Sequence, residues 1–345
     1  MKTKRSLQTM FYLIILLSIV LAGCGGGSAK KVDPPFIRVV TGTVETGPAG
    51  SLAAAQDNSQ LAAGATVKTS AESRAGLIFT DGSQIMLEPN TEIALVDGDG
   101  IGLSLVSGQL WAASNTVAIH VDAGGPVATG TAVGFNISKD ESKVTVSSVG
   151  GSTTFAAGGS EVTVANSQVA VSEGNGAPST PTALEVTSAL RIVLEGEALA
   201  YLADPAGRAV GYHPTREFPI SQIPNGWYSG KAARPQVISV PNLEPGEYTI
   251  LLVAAGNQSA WKIKVGTAGA DLNYTERSTS SSITWGTPTG ITLKISLDAD
   301  GNPVLDEMSA IWTLYVDPPG KVALGEELKR TTILPGAIAP TWINQ

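Results

Sequence analysis

The sequence predicts an all-β protein with two successive β-rich domains. Glycine and proline are frequent, at 39 and 20 of the 345 residues. Segments in which apolar and polar residues alternate recur about every 8 to 12 residues, separated by Gly, Asn, Asp or Pro, as expected for short strands and turns. No segment after residue 30 shows the roughly 3.6-residue period of an amphipathic helix. A chain of this length has room for about two domains, each with its own core.

The N-terminus has the features of a lipoprotein signal peptide. Three basic residues precede an apolar run at residues 11–22. This run of about 12 residues is shorter than the roughly 20 that a spanning helix needs, so it fits the apolar part of an export signal. The next segment, Leu21-Ala22-Gly23-Cys24, resembles the bacterial lipobox, which implies a signal peptide at residues 1–23, cleavage between Gly23 and Cys24, and lipid on the Cys24 sulfur. The alternative is an ordinary secretory signal or anchor helix with a coincidental cysteine.

Cysteine content and charge limit the possible partners. Cys24 is the sole cysteine, so we expect a fold without disulfides and a Cys24 thiol available for lipid. The chain has 22 basic and 30 acidic residues, a net charge of −8, which argues against nucleic acid as a partner.

From the lipobox-like segment we expect a cell-envelope protein that contacts the membrane through its lipid. Gly25 stands where an Asp would resemble an inner-membrane retention signal, which favours the outer membrane if the host has two membranes.

A flexible tether at residues 24–36 leads into the first predicted domain, residues 37–174. Asp81-Gly82 between alternating strands is a strong hairpin signal, because both residues tolerate positive φ. A second turn is predicted at Ser107-Gly108. The apolar residues that alternate along the surrounding strands are Leu77, Phe79, Ile85, Leu87, Leu103, Leu105, Leu110, Val133, Phe135 and Ile137.

Several motifs in this domain resemble those of the FecR family. They are Val40-Thr41-Gly42-Thr43-Val44, LAAGATVKT at 61–69, DGSQIMLEPNT at 81–91, and Val106-Ser107-Gly108-Gln109-Leu110. The third motif contributes the matching residues Asp81, Gly82, Ser83, Pro89 and Thr91, and a later step contributes Gly130 and Thr131. The resemblance implies an extracytoplasmic, β-rich domain, coiled like a solenoid, that serves binding or scaffolding.

The chain departs from the family pattern in two ways. Thr129 stands where the family commonly has the Arg of an Arg-Gly-Thr step. Family members that regulate sigma factors have a cytoplasmic segment and a spanning helix before this domain, whereas only a short segment precedes the apolar run here. We therefore expect no direct contact with a cytoplasmic sigma factor.

The second half is predicted to be an immunoglobulin-like β-sandwich. Residues 175–186 are rich in Pro, Gly and Ser and form a predicted linker. Residues 187–320 resemble sandwich modules of secreted bacterial proteins through the Pro-Gly-x-Tyr turn at residues 245–248 and the strands around it. Residues 270–320 fit either the end of this sandwich or a small separate unit. Residues 321–345 are predicted to be a loosely ordered tail.

No set of catalytic residues is recognisable in the sequence. His120 and Asp122 share one face of a predicted strand, but the chain has no Gly-x-Ser-x-Gly nucleophile elbow. The simpler interpretation of His120 is a solvent-facing residue, and His213 lies in a loop before a proline. We expect neither an enzyme nor a bound cofactor. A hydrolase of cell-wall sugar is an alternative for which no carboxylate pair stands out.

Two further segments are candidates for ligand binding. Asp298, Asp300 and Asn302 resemble part of a calcium loop, because hard cations are bound by oxygens at alternating positions; a hairpin turn is the alternative. Trp227 and Tyr228 lie beside Gly and Asn in a predicted loop, where exposed rings could stack on sugar or peptide. Packing of these two rings over the sandwich core is the alternative.

These observations lead to one preferred function and one alternative. We expect a non-catalytic lipoprotein of the cell envelope that binds or scaffolds another envelope protein or a cell-wall polymer. The alternative is an extracytoplasmic sensor that signals through a separate membrane protein.

Overall fold

The computed structural model describes residues 32–213, 219–256, 258–284 and 288–313. Within these ranges the chain forms 28 strands and no helix, which confirms the all-β prediction. Accordingly, the described part of the chain contains no helix long and apolar enough to cross a membrane. The predicted signal peptide, Cys24 and the predicted tail lie outside the described residues.

The first half of the described chain contains sixteen strands. They are β1 (Phe36–Thr41), β2 (Val44–Gly47), β3 (Ala53–Ala54), β4 (Thr66–Thr69), β5 (Arg74–Ile78), β6 (Gln84–Leu87), β7 (Glu92–Val96), β8 (Ile101–Ala113), β9 (Ile119–Asp122), β10 (Val127–Gly130), β11 (Gly134–Asp140), β12 (Lys143–Val149), β13 (Thr153–Ala157), β14 (Ser160–Val164), β15 (Gln168–Glu173) and β16 (Thr182–Ala183). The last of these, β16, lies in the segment predicted to be a linker and pairs with β15.

These sixteen strands form one sheet that coils into two layers joined by β8. One layer has the order β3-β2-β4-β7-β8-β9-β10-β13-β14, and the other has the order β1-β5-β6-β8-β11-β12-β15-β16. All neighbours pair antiparallel except β8 and β9, which are parallel. The alternating apolar residues of both layers meet in a single core that includes Ile93, Leu103 and Phe155 from the first layer and Leu77 and Phe135 from the second.

The turn predicted at Ser107-Gly108 is instead the point where β8 passes from one layer to the other. Residues before Gly108 pair with β7 and β9, and residues from Gly108 onward pair with β6 and β11. Gly108 has a φ of +87°, and a Cβ there would lie 2.5 Å from the Thr91 Oγ1 atom. The glycine therefore permits a bend within a continuous strand, which uses the same backbone freedom as a turn.

The second half contains twelve strands. They are β17 (Ser188–Gly196), β18 (Ala198–Ala203), β19 (Ala209–Tyr212), β20 (Pro219–Ser221), β21 (Trp227–Tyr228), β22 (Gln236–Pro241), β23 (Gly246–Ala254), β24 (Gln258–Gly269), β25 (Thr275–Thr284), β26 (Thr289–Leu297), β27 (Pro303–Met308) and β28 (Trp312–Thr313).

These twelve strands form the two facing sheets of a β-sandwich. One sheet has five strands in the order β21-β22-β17-β24-β25. The other has seven strands in the order β20-β19-β18-β23-β26-β27, with β28 also paired to β26. Buried residues of both sheets, including Leu190, Ile192, Ile250 and Leu252, form the core between them. Alternation of buried and partly exposed residues along β23 follows the period of two that the sequence shows.

A third, smaller core joins the two halves within one compact unit. It consists of Met86, Trp111, Val149 and Trp227. Beside it, Gln84 makes two hydrogen bonds to the second half: its Nε2 donates to the Pro219 carbonyl at 2.8 Å, and its Oε1 accepts from the Ser221 N–H at 3.1 Å. The Trp111 Nε1 donates to the Ser221 carbonyl at 3.2 Å. Apolar burial and satisfied polar groups thus fix one half against the other.

Candidate functional site

A polar cleft lies between the two halves, next to this third core. Its volume is about 550 Å³. The first half contributes the turn after β6, the middle of β8 and the end of β11 to its walls. The second half contributes the β18–β19 turn, the loop before β21 and the segment between β22 and β23. The lining residues are Glu88, Pro89, Gly108, Gln109, Ser138, Lys139, Asp140, Asp204, Arg208, Ile223, Pro224, Asn225, Val240, Pro241, Asn242, Glu244 and Tyr248.

The floor of the cleft is built around the Arg208 guanidinium. Its Nε lies 2.6 Å from Asp204 Oδ2, its Nη1 lies 2.9 Å from Glu88 Oε1, and its Nη2 lies 2.9 Å from Glu244 Oε1. Glu88 is shared, because its Oε2 lies 2.9 Å from the Nε of Arg74. Arg208, Glu88 and Asp204 are each less than 10% exposed. Three carboxylates therefore use all three nitrogens of one arginine, in the fork geometry that suits this side chain.

Local backbone geometry places Asp204 and Arg208 together. The sequence Asp204-Pro205-Ala206-Gly207-Arg208 forms the tight turn between β18 and β19 that its composition predicts. Asp204 Oδ1 accepts hydrogen bonds from the N–H groups of Ala206 at 3.0 Å and Arg208 at 2.8 Å. The other carboxylate oxygen, Oδ2, is left to face the Arg208 side chain. This arrangement is typical of Asp at the start of a turn.

Burial and charge shift the protonation equilibria of the floor in opposite directions. Burial raises the pKa of Asp204, although Arg208 acts against this increase. Burial alone would lower the pKa of Arg208, but the charges of Asp204 and Glu88 raise it above its ordinary value. Burial also raises the pKa of Tyr248, whose hydroxyl donates to the Glu244 carbonyl at 2.8 Å. The arginine and the tyrosine thus keep their protons at neutral pH.

The walls above this floor carry polar groups that face the open volume. Asp140, at the end of β11, is exposed. Lys139 beside it lies on the same strand face as the buried Ile137, and a Cβ on Gly124 would lie 3.1 Å from its Nζ, so its ammonium is directed toward the β9–β10 loop. On the opposite wall, Asn225 has a φ of +58° and accepts a hydrogen bond from Ser147 Oγ at 3.1 Å. Glu244 keeps 51% of its side chain exposed despite its contact with Arg208. These groups can donate and accept hydrogen bonds to a polar ligand.

The Asp81-Gly82-Ser83 part of the FecR-like motif forms the hairpin between β5 and β6. Asp81 Oδ1 accepts from the Ser83 N–H at 2.9 Å, and Asp81 Oδ2 accepts from the Ser83 hydroxyl at 2.8 Å. The Ser83 Oγ in turn accepts from the N–H of Asn115 at 2.9 Å. These residues organise a turn and lie away from the cleft.

The remaining motif residues divide between the cleft and the fold. Pro89 lines the cleft. Thr91 is buried, and its Oγ1 both donates to the Gln109 carbonyl at 2.9 Å and accepts from the Gln109 N–H at 3.0 Å. Gly130 is packed so closely that a Cβ would lie 2.5 Å from Val133 Cγ1, whereas Thr131 is exposed. Most of the motif therefore stabilises strand connections.

The structure places Trp227 and Tyr228 in the interior and not on an exposed loop. They form β21, and their exposed fractions are 8% and 3%. The Tyr228 hydroxyl donates to Gln236 Oε1 at 2.6 Å, and burial raises the pKa of this tyrosine. Pairing of β21 with β22 withdraws both rings from solvent. The alternative interpretation, aromatic packing against the core, therefore describes them, and neither ring is available for stacking on sugar or peptide.

Asp298, Asp300 and Asn302 form the hairpin turn between β26 and β27. Asp298 Oδ1 accepts from the N–H groups of Asp300 at 2.9 Å and Asn302 at 2.8 Å, and these bonds lower the pKa of Asp298. The carboxylate is thus used by its own backbone. Among the described residues no group of three or more His, Cys, Asp or Glu side chains is placed to hold a metal ion.

The two histidines belong to different halves of the described chain. His120 is half-buried on β9 between the buried Ile119 and Val121, with its Nδ1 3.0 Å from Thr129 Oγ1. His213 follows β19 and packs edge-on against Tyr201, with ring centroids 5.4 Å apart. Burial and the positive charge of Arg38 lower the pKa of His213 to about 4.

Sequence reasoning did not find the cleft. Arg208 and Glu88 are 120 residues apart in the chain, so no local pattern predicts their contact. One signal was available: each of these charged residues stands beside an otherwise apolar strand, where burial without a partner would be costly.

Comparison with known proteins identifies part of the chain. Residues 65–175 match the model of the FecR protein family, so the resemblance noted in the sequence is confirmed for this domain. No curated protein matches the chain significantly. A solved structure of a candidate anti-sigma factor from Parabacteroides distasonis ATCC 8503 is similar at a TM-score of 0.31 and 12% sequence identity. That match covers 34% of this chain and 59% of the other.

Proposed function

We propose that the FecR domain at residues 65–175 and the β-sandwich that follows it act together as a non-catalytic binding module of the cell envelope. The observation that supports this proposal is the cleft of about 550 Å³ to which both halves contribute. Clefts between domains are the usual place for ligand sites. Here buried ion pairs between the two halves form the floor of the cleft.

The lining favours a ligand rich in hydrogen-bonding groups. Asp140 and Glu244 can accept hydrogen bonds from such a ligand, and the Gln109 and Asn225 amides line opposite walls. No exposed aromatic ring lies among the lining residues, and Tyr248 is buried beneath them. Peptide amides or saccharide hydroxyls, the groups that make up cell-wall polymers and envelope proteins, match this chemistry.

The lipobox-like sequence supports placement at the membrane. We propose that lipid on Cys24 anchors the chain and that the segment between Cys24 and β1 tethers the binding module. In a host with two membranes, Gly25 after the lipidated cysteine favours the outer one.

A binding experiment with a matched pair of carboxylates tests the cleft. The full-length chain is incubated with insoluble peptidoglycan and, separately, with detergent-solubilised envelope, and the bound fraction is measured. Asp140→Asn removes a carboxylate that lines the cleft, whereas Glu141→Gln removes an exposed carboxylate from the same hairpin outside the lining. Loss of about 1–3 kcal/mol of binding free energy in Asp140→Asn alone is expected if Asp140 contacts the ligand.

Two results would contradict the proposal. One is that the parent chain retains neither polymer nor envelope protein. The other is that both carboxylate variants lose binding equally, since binding would then depend on general surface charge and not on the cleft.

A sensor role in signalling is the second candidate, and the FecR domain favours it. Arg208 of the second half contacts Glu88 of the first half beneath the cleft, so a ligand that changed the position of one half would disturb this contact. Relay would then require a separate membrane protein. Genome-wide transcript measurement tests this role. A set of transcripts that responds to the chain and fails to respond in Asp140→Asn would support it, and unchanged transcripts on deletion of the chain would exclude it.

A further inference from the structure

β25 is a long edge strand of the five-stranded sheet. It pairs with β24 over ten consecutive residues, Thr275–Thr284, without a bulge. Between Glu276 and Ser282 every residue is exposed except the half-buried Thr279. In an antiparallel ladder, alternate residues direct their N–H and C=O groups to opposite sides. The groups on the side away from β24 face no other strand in the described part of the chain.

Other edges of the described sheets are short, covered or interrupted. β3, β16, β21 and β28 have two residues each, and β20 has three and begins with proline. β14 is half as long as β25 and carries Glu161. β27 carries Asp306 and Glu307 and contains a register shift against β26. β1 is covered by a loop whose Ser59 carbonyl accepts from the Ile37 N–H at 2.9 Å. Such devices prevent edge-to-edge pairing, and residues 278–282 of β25 have none of them.

The two charges on β25 do not block its outer edge. Glu276 Oε1 lies 2.9 Å from Arg191 Nη2, and Arg277 Nη1 donates to the Asp306 carbonyl at 3.1 Å. Both groups are therefore held by their own chain at one end of the strand. The centre of the strand, residues 278–282, is the uncharged sequence STSSS.

We propose that β25 is a self-association edge that pairs antiparallel with β25 of a second copy of this chain. A two-fold axis between antiparallel strands places one residue opposite the same residue of the second copy. If the two strands overlap over nearly their whole length, two registers are possible, with Thr279 or Ser280 on the axis. In the first register Glu276 faces Ser282 and Arg277 faces Ser281. In the second register Glu276 faces Thr284 and Arg277 faces Ile283.

Neither register opposes like charges, and both place hydroxyl side chains opposite each other near the axis. Cross-strand Ser and Thr pairs of this kind stabilise antiparallel ladders, whereas like charges directly opposite destabilise them. In both registers even-numbered residues face even-numbered residues, and odd-numbered residues face odd-numbered residues. The core-facing surface of one five-stranded sheet is therefore continuous with that of the second copy, and so is the solvent-facing surface. The result is one ten-stranded sheet across the dimer.

Disulfide trapping of the full-length chain tests the pairing. Thr279→Cys and Ser280→Cys are made separately and treated with diamide as the oxidant. Facing residues in antiparallel strands have Cα atoms roughly 4.5–5.5 Å apart, within the range that a disulfide spans. We expect a covalent dimer from at least one variant. The parent chain, with Cys24 only, measures the background, and Ala260→Cys on the neighbouring strand β24 measures random collision.

Lysine substitutions provide a second measurement. In Thr279→Cys, Ser278→Lys with Ser280→Lys places lysines opposite each other, and in Ser280→Cys, Ser278→Lys with Ser282→Lys does so. The lysine pair that matches the responding cysteine variant should lower dimer yield about tenfold. Gln258→Lys with Ala260→Lys adds the same charge to exposed positions of β24 and should leave the yield unchanged. Dimer at background level from both cysteine variants would overturn the proposal. Disulfides formed only with other envelope proteins would also overturn it, and would identify a different strand as the partner.

Discussion

Glu88 and Arg208 lie 120 residues apart in the chain and meet in an ion pair of 2.9 Å that is buried beneath the cleft. Glu88 belongs to the FecR domain and Arg208 to the sandwich. Removing one partner of a buried pair costs more than the pair contributes, because the remaining charge is left desolvated. This contact is therefore sensitive to single substitutions.

Replacing Arg208 by Ala should destabilise the fold strongly. The change leaves Asp204 and Glu88 buried without their shared cation, and we expect a loss of about 3–5 kcal/mol in the free energy of unfolding. Urea denaturation at pH 7 measures it. As a control, Lys294→Ala removes an exposed pair with Glu307, for which no measurable change is expected. Equal stability of the Arg208 variant and the parent would contradict this account of the floor.

Replacing Gln84 by Glu should weaken the attachment between the two halves. The new carboxylate would face the Pro219 carbonyl, which now accepts a hydrogen bond of 2.8 Å from the amide. We expect a cost of about 2–3 kcal/mol at pH 7, measured by urea denaturation. Gln168→Glu is the matched control, because the Gln168 Oε1 already acts as an acceptor, from the Ala165 N–H. A similar cost in both variants would show that the charge, and not the lost donor, is responsible.

Stability should decrease as the pH falls from about 6.5 to about 4, through His213. Burial and Arg38 lower the pKa of this histidine from 6.5 to about 4 in the folded chain, so the unfolded chain binds more protons in this interval. Stability is full above pH 6.5 and decreases as pH falls, by at most about 3 kcal/mol. Denaturation curves at pH 7 and pH 5 measure the loss.

Two variants separate His213 from the carboxylates that also titrate at low pH. His213→Gln should reduce the difference between pH 7 and pH 5. Arg38→Gln should reduce it by less, since burial, the larger cause, remains. A pH dependence identical in all three chains would disprove the assignment to His213.

Replacing Gly108 by Ala should cost more than the same change at Gly64. Both glycines have positive φ, at +87° and +72°, but a Cβ on Gly108 would lie 2.5 Å from Thr91 Oγ1, and nothing lies within 4 Å of one on Gly64. Backbone strain alone costs about 1–2 kcal/mol, which we expect for Gly64→Ala. The clash adds about 1–3 kcal/mol for Gly108→Ala. Thermal denaturation measures both, and equal losses would indicate that Thr91 moves freely.

Local signals predicted the parts of the fold that depend on neighbouring residues. Asp81-Gly82 forms the expected hairpin, and the alternating Leu77, Ile85 and Leu87 are buried in the predicted core. At Ser107-Gly108 a similar turn signal marks a bend within a strand, because a residue with positive φ can occur in such a bend as well as in a turn. The pairing partners of β8, which decide between these outcomes, come from distant segments.

The features that local sequence patterns did not predict depend on contacts between residues distant in the chain. Trp227 and Tyr228 look like loop residues because Gly226 and Ser229 flank them, and only pairing with β22 buries them. The cleft likewise depends on the turn at Arg208 meeting the turn at Glu88. Neither of these two contacts is indicated by a hydrophobic period or a short motif in the sequence.

The dual pairing of β8 has a consequence for local opening. One strand carries the ladder hydrogen bonds of both layers, to β7 and β9 in one and to β6 and β11 in the other. Neither layer can separate fully at its centre without releasing a part of β8. We therefore expect the amides of β8 to exchange with deuterium at the slowest rate in the FecR domain, and to become accessible in one cooperative event with those of both layers.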